Sequence, residues 1–449
     1  MRVVAAASIA LLAVCSLPTL AQQPEQSPAP ESEQRAPAQP GQPPQEETAP
    51  PVPPPVETPQ SASTEGGPAL VTFYYRSPIE TGKLLGSMMP AEDVFVDGKS
   101  LVDLEMDTFA TFALEPGVHR FRAKKAEDEF SLELAAGRTY FFRVLAVRSG
   151  LSGYSVLTAA CPGVGLTEST AARMKPATKI KDRGRHVPGA VPAGSTGAAA
   201  EGEEALVVFY RPWRQGGELL NTSVFVDGVE IADLDNECYL PVRVPPGEHA
   251  FRSDEEGDAF SLDLAPGSVS YVRIDLVHGV WKGHGRLLLV DPIQGRAESR
   301  TSAMRLAKDI RVPAMVVRDP LPEEPVPTFE PGGGKATVRV YFPRPEQGPH
   351  NAGFIAHDVT VKVDDVNVAE LDDRTYVDLL LEPGMHRFAI DKYKSVFELP
   401  VEAAARLYFR VELDGSFHPV CAEQGLSETG TKRMQRTAKI LAPALVAPR

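Results

Sequence analysis

Four short segments recur three times, in the same order, along this chain. The middle copy reads VVFYRPWR, SVFVDGVEIADL, VRVPPGEHAFR and AFSLDLAPGSVSYVRIDL between Val207 and Leu276. The first reads VTFYYRSP, DVFVDGKSLVDL, FALEPGVHRFR and FSLELAAGRTYFFRV, and the third VRVYFPRP, VTVKVDDVNVAEL, LLLEPGMHRFA and FELPVEAAARLYFRV. The spacing is in register. Gly117, Gly247 and Gly384 lie 130 and 137 positions apart, as do Asp97, Asp227 and Asp364, whereas Met174, Met304 and Met434 lie 130 and 130 apart. Copy three therefore gains seven residues before its first turn and loses as many before its end. A long internal period makes each copy one folding unit. Units of roughly 110 residues are long enough to hold separate cores, so the expectation is three beads on a string.

Within each copy the hydrophobic period is two, as in Ser223-Val224-Phe225-Val226-Asp227 and Phe260-Ser261-Leu262-Asp263-Leu264. That alternation describes a half-buried strand of an antiparallel sheet. Asp97-Gly98 and Asp227-Gly228 are hairpin signals, because Gly accepts positive φ and Asp tolerates it. Copy three has Asp364-Asp365, which predicts another type of turn. Pro-Gly at 116–117, 246–247 and 383–384 marks a second turn, and Ala136-Gly137 and Pro266-Gly267 a third, where copy three has Ala404-Ala405. Each copy then closes with an expected helix over 167–180, 297–310 and 427–440, capped by Thr167 and Ser427 in the first and third. The fold class is mainly β: three tandem antiparallel β-sandwich domains, each closed by a short α-helix.

The expected order along the chain is a signal peptide at 1–21, a stalk at 22–67, and sandwiches at 68–185, 204–318 and 336–449. Linkers rich in Pro, Gly and acidic residues fill 186–203 and 319–335. Residues 1–21 combine Arg2, an apolar run from Val3 to Val14, and the small-residue site Thr19-Leu20-Ala21. The run is shorter than the ~20 residues that span a bilayer, so a secretory signal is the reading. Lipid anchoring through Cys15 is its rival, with Val14 a poor fit before the cysteine. The Pro/Gln/Glu-rich stalk has almost no large apolar side chains to offset ordering entropy and is expected to be disordered. The chain is thus expected to be exported, periplasmic or at the cell surface, with no transmembrane segment once mature.

The Tyr-Arg-Pro strand, Val-Asp-Gly hairpin, Pro-Gly-x-His-x-Phe turn and Tyr-x-Arg strand resemble a family of small secreted bacterial domains of unknown function, in the style of PEGA-type surface β-modules. The match is best at Tyr210-Arg211-Pro212, Asp227-Gly228 and Pro246-Gly247-Glu248-His249-Ala250-Phe251. Copy three departs at Asp365 and at Tyr341-Phe342-Pro343-Arg344. The resemblance implies an exported β-rich module without an assigned activity.

Few residues point to chemistry. His119, His249 and His386 follow the Pro-Gly turns, but one histidine per copy cannot hold zinc; a ring that packs or hydrogen-bonds locally is the reading. Asp275, His278 and His284, with Trp281, form a candidate metal or ligand loop, against the alternative of an extended hairpin tip. Arg76, Arg211 and Arg344, and Arg143, Arg273 and Arg410, are read as matching strand positions whose partners are the turn aspartates. The expected closing helices carry Arg173, Lys175, Arg305, Lys308, Arg433 and Arg436, candidates for contact with an anionic surface. Net charge is −14, which speaks against nucleic acid. Beyond the signal, Cys161, Cys238 and Cys421 are expected as free or buried thiols, since equivalent positions in separate domains would not face one another; a bridge between the first and third domains is the alternative. No GxSxG elbow, phosphate-cradling loop or HExxH is present, and no cofactor is expected. The reading is a non-catalytic envelope scaffold or protein-interaction module. Binding of carbohydrate or wall polymer is the alternative, and a hydrolase sited in copy two the third.

Overall fold

The computed structural model describes residues 67–76, 91–124, 129–149, 152–171, 174–189, 203–212, 221–254, 259–277, 284–301, 303–318, 334–343, 358–372, 374–391, 396–412, 417–429 and 434–448. The proposed signal peptide and the stalk up to Gly66 lie outside these residues.

The period-two segments form strands. In the first repeat these are β1 (Ala69–Tyr75), β2 (Glu92–Val96), β3 (Lys99–Leu104), β4 (Thr108–Leu114), β5 (Gly117–Arg122), β6 (Phe130–Leu134), β7 (Thr139–Ser149) and β8 (Ser152–Ala160). One sheet runs β4-β1-β7-β8 and the other β3-β2-β5-β6, with two-residue strands added at their edges. Between the sheets lie Val71, Phe73, Phe112, Phe121 and Phe142, all fully buried. The Phe121 and Phe142 rings stack at 4.5 Å. Each fully buried aromatic of this kind contributes about 1.5–3 kcal/mol. The other two repeats have the same two-sheet plan, so the chain is mainly β with sandwich-like repeats.

One sheet of each repeat is mixed, and the other is antiparallel throughout. β1 pairs in parallel with β7, Ala205–Arg211 with Val269–Val277, and Ala336–Phe342 with Arg406–Val411. Strands far apart in sequence thus lie side by side at the centre of the mixed sheet, which sets the register of everything on its outer face.

Asp97 and Gly98 take φ of 50° and 77°, and Asp227 and Gly228 50° and 79°. Asp364 and Asp365 do the same at 50° and 64°, so copy three keeps the turn expected to change. Asp tolerates the left-handed region, and Arg387 holds the Asp365 carboxylate at 2.7 Å. At the third turn Ala404 takes φ of 57°, where the other copies have glycine.

The closing helices sit elsewhere than the sequence predicts. They are α1 (Pro162–Ser169), α2 (Pro292–Ser299) and α3 (Ala422–Glu428). Proline at the first position suits α1 and α2, because its missing N–H is unpaired there anyway. Thr167 is no cap: its hydroxyl donates to the carbonyls of Gly163 and Val164 inside the helix, and Ser427 lies inside α3. Beyond each helix the chain makes two-residue strands instead. Lys175–Pro176 and Arg305–Leu306 run parallel to the strands that begin at Thr108 and Cys238. The Met-and-Ala stripe at helical spacing here belongs to an extended, largely exposed chain that crosses sheet edges, with Met174 and Met434 buried.

Nor are the repeats beads on a string. The described residues all belong to one compact unit. Helix α1 packs on His284–Val290 of the second repeat, α2 on Val396–Val401 and Phe417–Val420 of the third, and α3 on β6 and β8 of the first. Each helix is wedged between its own sheet and the next repeat, and the last repeat meets the first. This is a head-to-tail contact that closes after three steps. The apolar clusters cross these seams: Ala297 of α2 belongs to the core of repeat three, and Leu426 of α3 packs on that of repeat one. The first expected linker also begins too early, since His186 and Val187 pair with Phe112 and Thr111. Residues 190–202 and 319–333 of the linkers lie outside the described residues.

Candidate functional site

Among the described residues, each of the three seams contains a recurrent cluster of buried charge, and the parallel register creates it. It sets Tyr74 beside Arg143, Tyr210 beside Arg273 and Tyr341 beside Arg410. Tyr74 and its equivalents alternate with core residues such as Phe73 and therefore point out of the sandwich, towards the helix. Helix glutamates spaced 130 positions apart complete the cluster. Tyr74 donates to Glu168, Tyr210 to Glu298 and Tyr341 to Glu428, each at 2.7 Å. Arg143, Arg273 and Arg410 stand 3.6, 3.3 and 3.4 Å from the second carboxylate oxygen.

Each helix comes this close because of a glycine. A Cβ at Gly165, Gly295 or Gly425 would lie about 2 Å from side-chain atoms of Phe141, Tyr271 or Tyr408. At the seam between repeats one and two, a Cβ at Gly163 would meet the Leu289 carbonyl oxygen at 2.5 Å.

The clusters differ in what the neighbouring repeat supplies. Gln294 and Gln424 donate to the glutamate one turn later, at 3.2 and 3.0 Å. The corresponding residue in α1 is Val164, and there Arg286 of the second repeat stands 3.5 Å from Glu168. At the next seam His418 places its ring nitrogens 3.5 Å from Glu298 and 3.6 Å from Glu412. At the third, Ser427 accepts from the Ala159 amide at 2.9 Å and lies 3.1 Å from the Thr158 hydroxyl.

Burial shifts several of these groups. It pushes the phenols of Tyr74, Tyr210 and Tyr341 well above their ordinary range, helped by the adjacent carboxylates, so they remain donors. For Glu168, burial pushes up but is outweighed by Arg143, Arg286, Arg76 and the Tyr74 hydrogen bond; its carboxyl stays below the ordinary value. Burial lowers His418, against the pull of Glu298 and Glu412.

The recurrent histidines form a second, smaller arrangement. Nδ1 of His119, His249 and His386 lies 2.7–2.8 Å from the carboxylate of Asp97, Asp227 and Asp364. Nε2 lies 2.7–2.8 Å from the carbonyls of Glu115, Pro245 and Glu382. The same aspartates accept the amides of Arg120, Ala250 and Arg387 at 2.9 Å. Both partners of each ring are acceptors, so the imidazolium satisfies both and a neutral ring only one. The unit clamps two turns together, as the local reading expects.

The turn aspartates therefore hold histidines, and Arg143, Arg273 and Arg410 face the helix glutamates instead, Arg273 with Asp275 as a second partner. Arg76 and Arg211 do not occupy matching positions either. Arg211 is the counterpart of Tyr75, one residue earlier, and a one-residue offset reverses the face. It is fully buried and donates to the Leu234 carbonyl at 3.1 Å. Arg344 lies outside the described residues.

Of the candidate metal loop, Asp275 is held by Arg273 at 2.8 Å and Arg286 at 3.5 Å. His284 pairs with Val277 across the hairpin, and His278 lies outside the described residues. Among the described residues no group of three or more His, Cys, Asp or Glu is placed to hold a metal ion. Of the basic candidates, Arg173 and Arg433 lie outside the described residues. Lys175, Arg305 and Lys308 are exposed, but on or beside edge strands rather than on helices, and Arg436 donates to the Ala447 carbonyl. Cys161, Cys238 and Cys421 are free and buried, as expected, but Cys161 and Cys421, expected apart, meet at the third seam, where the Cys421 amide donates to Cys161 Sγ at 3.1 Å.

Sequence reasoning missed Glu168, Glu298 and Glu428, Gly165, Gly295 and Gly425, and the tyrosines. The signal was present: the glutamates and glycines repeat at the 130-residue period already visible in the methionines.

With this geometry in place, comparison with known proteins adds one family. The model described as "Protein of unknown function (DUF2846)" matches residues 201–285, most of the central repeat. No curated protein matches the chain. Among solved structures, the Bacillus anthracis TIE protein aligns over 77% of this chain at 7% identity and a TM-score of 0.14. The aligned region spans 50% of that protein, and a likeness this slight adds nothing to the fold. No helix among the described residues is long and apolar enough to cross a membrane.

Proposed function

We propose that this chain is an exported, non-catalytic scaffold of the cell envelope that presents three equivalent sandwich surfaces to a protein partner. One observation carries the reading. The repeated polar residues, which would be the place to look for shared chemistry, are used to lock three sandwiches into one closed body. Such a body holds equivalent surfaces at fixed separations, which favours multivalent contact over independent binding by loose modules. The signal-like residues 1–21 and the Pro-rich stretch after them fit export and tethering. At the end of each sandwich where the two clamped turns meet, an apolar side chain is exposed, though not at one repeated position: Val118 after the Pro-Gly turn of the first copy, and Val229 and Val366 after the aspartate turns of the second and third, at 67%, 52% and 47%, apolar points suited to a protein partner.

The test is crosslinking of the tagged full chain in its own cells, with fractionation. A discrete adduct in the envelope fraction is expected, weakened stepwise as Val118, Val229 and Val366 are changed to Asp one at a time. Recovery in the cytosol, or no adduct, would overturn the reading.

Exposed Lys175 and Arg305 occupy equivalent sites in two repeats and favour a second reading, contact with an anionic wall polymer. It requires salt-sensitive co-sedimentation with insoluble wall material, lost in Lys175→Ala/Arg305→Ala.

A further inference from the structure

We propose that Cys161 and Cys421 form a disulfide that covalently closes the ring between the first and third repeats. Cys161 precedes α1 and Cys421 precedes α3, equivalent positions 260 residues apart in the chain. They sit in one buried cluster with Tyr341, Tyr408, Val420 and Met434. The Cys421 amide donates to Cys161 Sγ at 3.1 Å, and that sulfur lies 3.3 Å from the Gln424 side-chain oxygen. Both are free thiols in the structure, and an amide nitrogen is two bonds from its own Cβ, so the contact sets the two cysteines side by side, as a bond that needs Cβ atoms about 3.5–4.5 Å apart requires.

The position explains why one seam of three carries the pair. The first two seams join repeats that follow each other in the chain, and a short connection keeps their partners near. The third joins the first repeat to the last, with no connection shorter than the whole ring. Its closure carries the largest loop entropy, and a crosslink there constrains the longest loop of the unfolded chain. The second repeat has Asp291 at the corresponding position, capping α2 through the Ile293 amide at 2.9 Å.

The oxidant is a small-molecule or protein disulfide. One cysteine thiolate attacks it, forming a mixed disulfide and releasing a thiolate. The other cysteine thiolate then attacks the protein sulfur, forming the Cys161–Cys421 bond and releasing the second thiolate. The two cysteine protons pass to the released thiolates, so two cysteines are oxidised and one disulfide is reduced to two thiols. Both cysteines are at most 9% exposed, and exchange needs an accessible thiolate; the bond therefore forms before the seam closes or while it is open. The inference does not depend on the scaffold reading.

The test is to unfold the reduced full chain, refold it with oxidised and reduced glutathione, and alkylate it under denaturing conditions without reductant. The chain has four cysteines. Two alkyl groups are expected, on Cys15 and Cys238, with a digest peptide joining the segments of Cys161 and Cys421. Alkylation of all four, or a linkage through Cys15 or Cys238, would overturn the proposal. The oxidised protein should also melt roughly 5 °C or more above its reduced form, and Cys161→Ser should abolish that response to reductant. Equal melting of the linked and reduced forms would overturn ring closure as the role of the bond. The mass measurement needs no variant to fold.

Discussion

At the residue scale, the seam clusters are costly to build and more costly to break. A buried ion pair has no large net effect on stability, yet removing one partner leaves an uncompensated charge, at about 3–5 kcal/mol. Glu168 faces Arg143 and Arg286 and is 1% exposed. Glu168→Ala should therefore cost about 3–5 kcal/mol in urea unfolding, against about 1.5–3 kcal/mol for Tyr74→Phe, which loses one hydrogen bond to a charged acceptor. Equal effects would mean that the carboxylate is not held by its arginines. His418 gives a pH dependence of its own. Glu298 and Glu412 pull its protonation up, while burial, Arg273 and Arg410 push it down, and the net direction is down. A group lowered in the folded state contributes stability that is present above its unfolded value, about 6.5, and lost as pH falls through the folded one. Stability should decline as pH drops below about 6.5, and His418→Gln should flatten that decline. The Asp97 and Asp227 carboxyls are also lowered: partial burial raises them, but hydrogen bonds from His119 and His249 and from the Arg120 and Ala250 amides outweigh it. Their contribution goes only below about pH 4, so the two windows separate in a titration from pH 7.5 to 3.

At the element scale, each helix is placed by its glycine. Alanine in a helix is favoured over glycine by about 1 kcal/mol. At Gly295, however, its methyl would lie 2.2 Å from Tyr271 Cβ, an atom fixed to a central strand. Overpacking of that kind costs about 1–3 kcal/mol, so Gly295→Ala should destabilise the protein despite the better propensity, read as a lower denaturation midpoint. A gain in stability would mean that the helix does not sit on the sheet as described. Strands and turns were legible in the sequence because their signals are local: alternation in Phe260–Leu264, positive φ at Asp97-Gly98, Pro-Gly before His119. The helices were misplaced because Pro162–Ser169 and Pro292–Ser299 are short and contain glycine, so propensity is poor and docking decides. The stretch around Met174 has better helical spacing, yet its apolar side chains serve a chain that crosses sheet edges. The parallel β1–β7 pairing, and with it the Tyr74–Arg143–Glu168 cluster, joins residues far apart in the chain and leaves no local trace. The exact 130-residue recurrence of Glu and Gly was the one distant clue.

At the scale of the whole molecule, closure changes what kind of unit unfolds. Three independent sandwiches would each melt on their own terms, whereas in a ring every repeat contributes to two seams. Losing one repeat exposes both an apolar helix face and the strands it covered, such as Ala297 in the core of repeat three. The coupling predicts one cooperative transition for the three repeats. The sequence supplies a probe, since Trp213 and Trp281, the only tryptophans, both belong to the second repeat. Fluorescence therefore follows that repeat, while far-ultraviolet circular dichroism follows all three. The two signals should coincide in urea at pH 7.5, as two-state behaviour requires. Disabling the second seam with Glu298→Ala and His418→Ala should split them, because repeat two then keeps only its contact with repeat one. Separate transitions in the unmodified chain would show that the seams are contacts without cooperative weight. Coincident transitions in the double variant would place the coupling in the other two seams, through Gly163 and through Cys161 with Cys421.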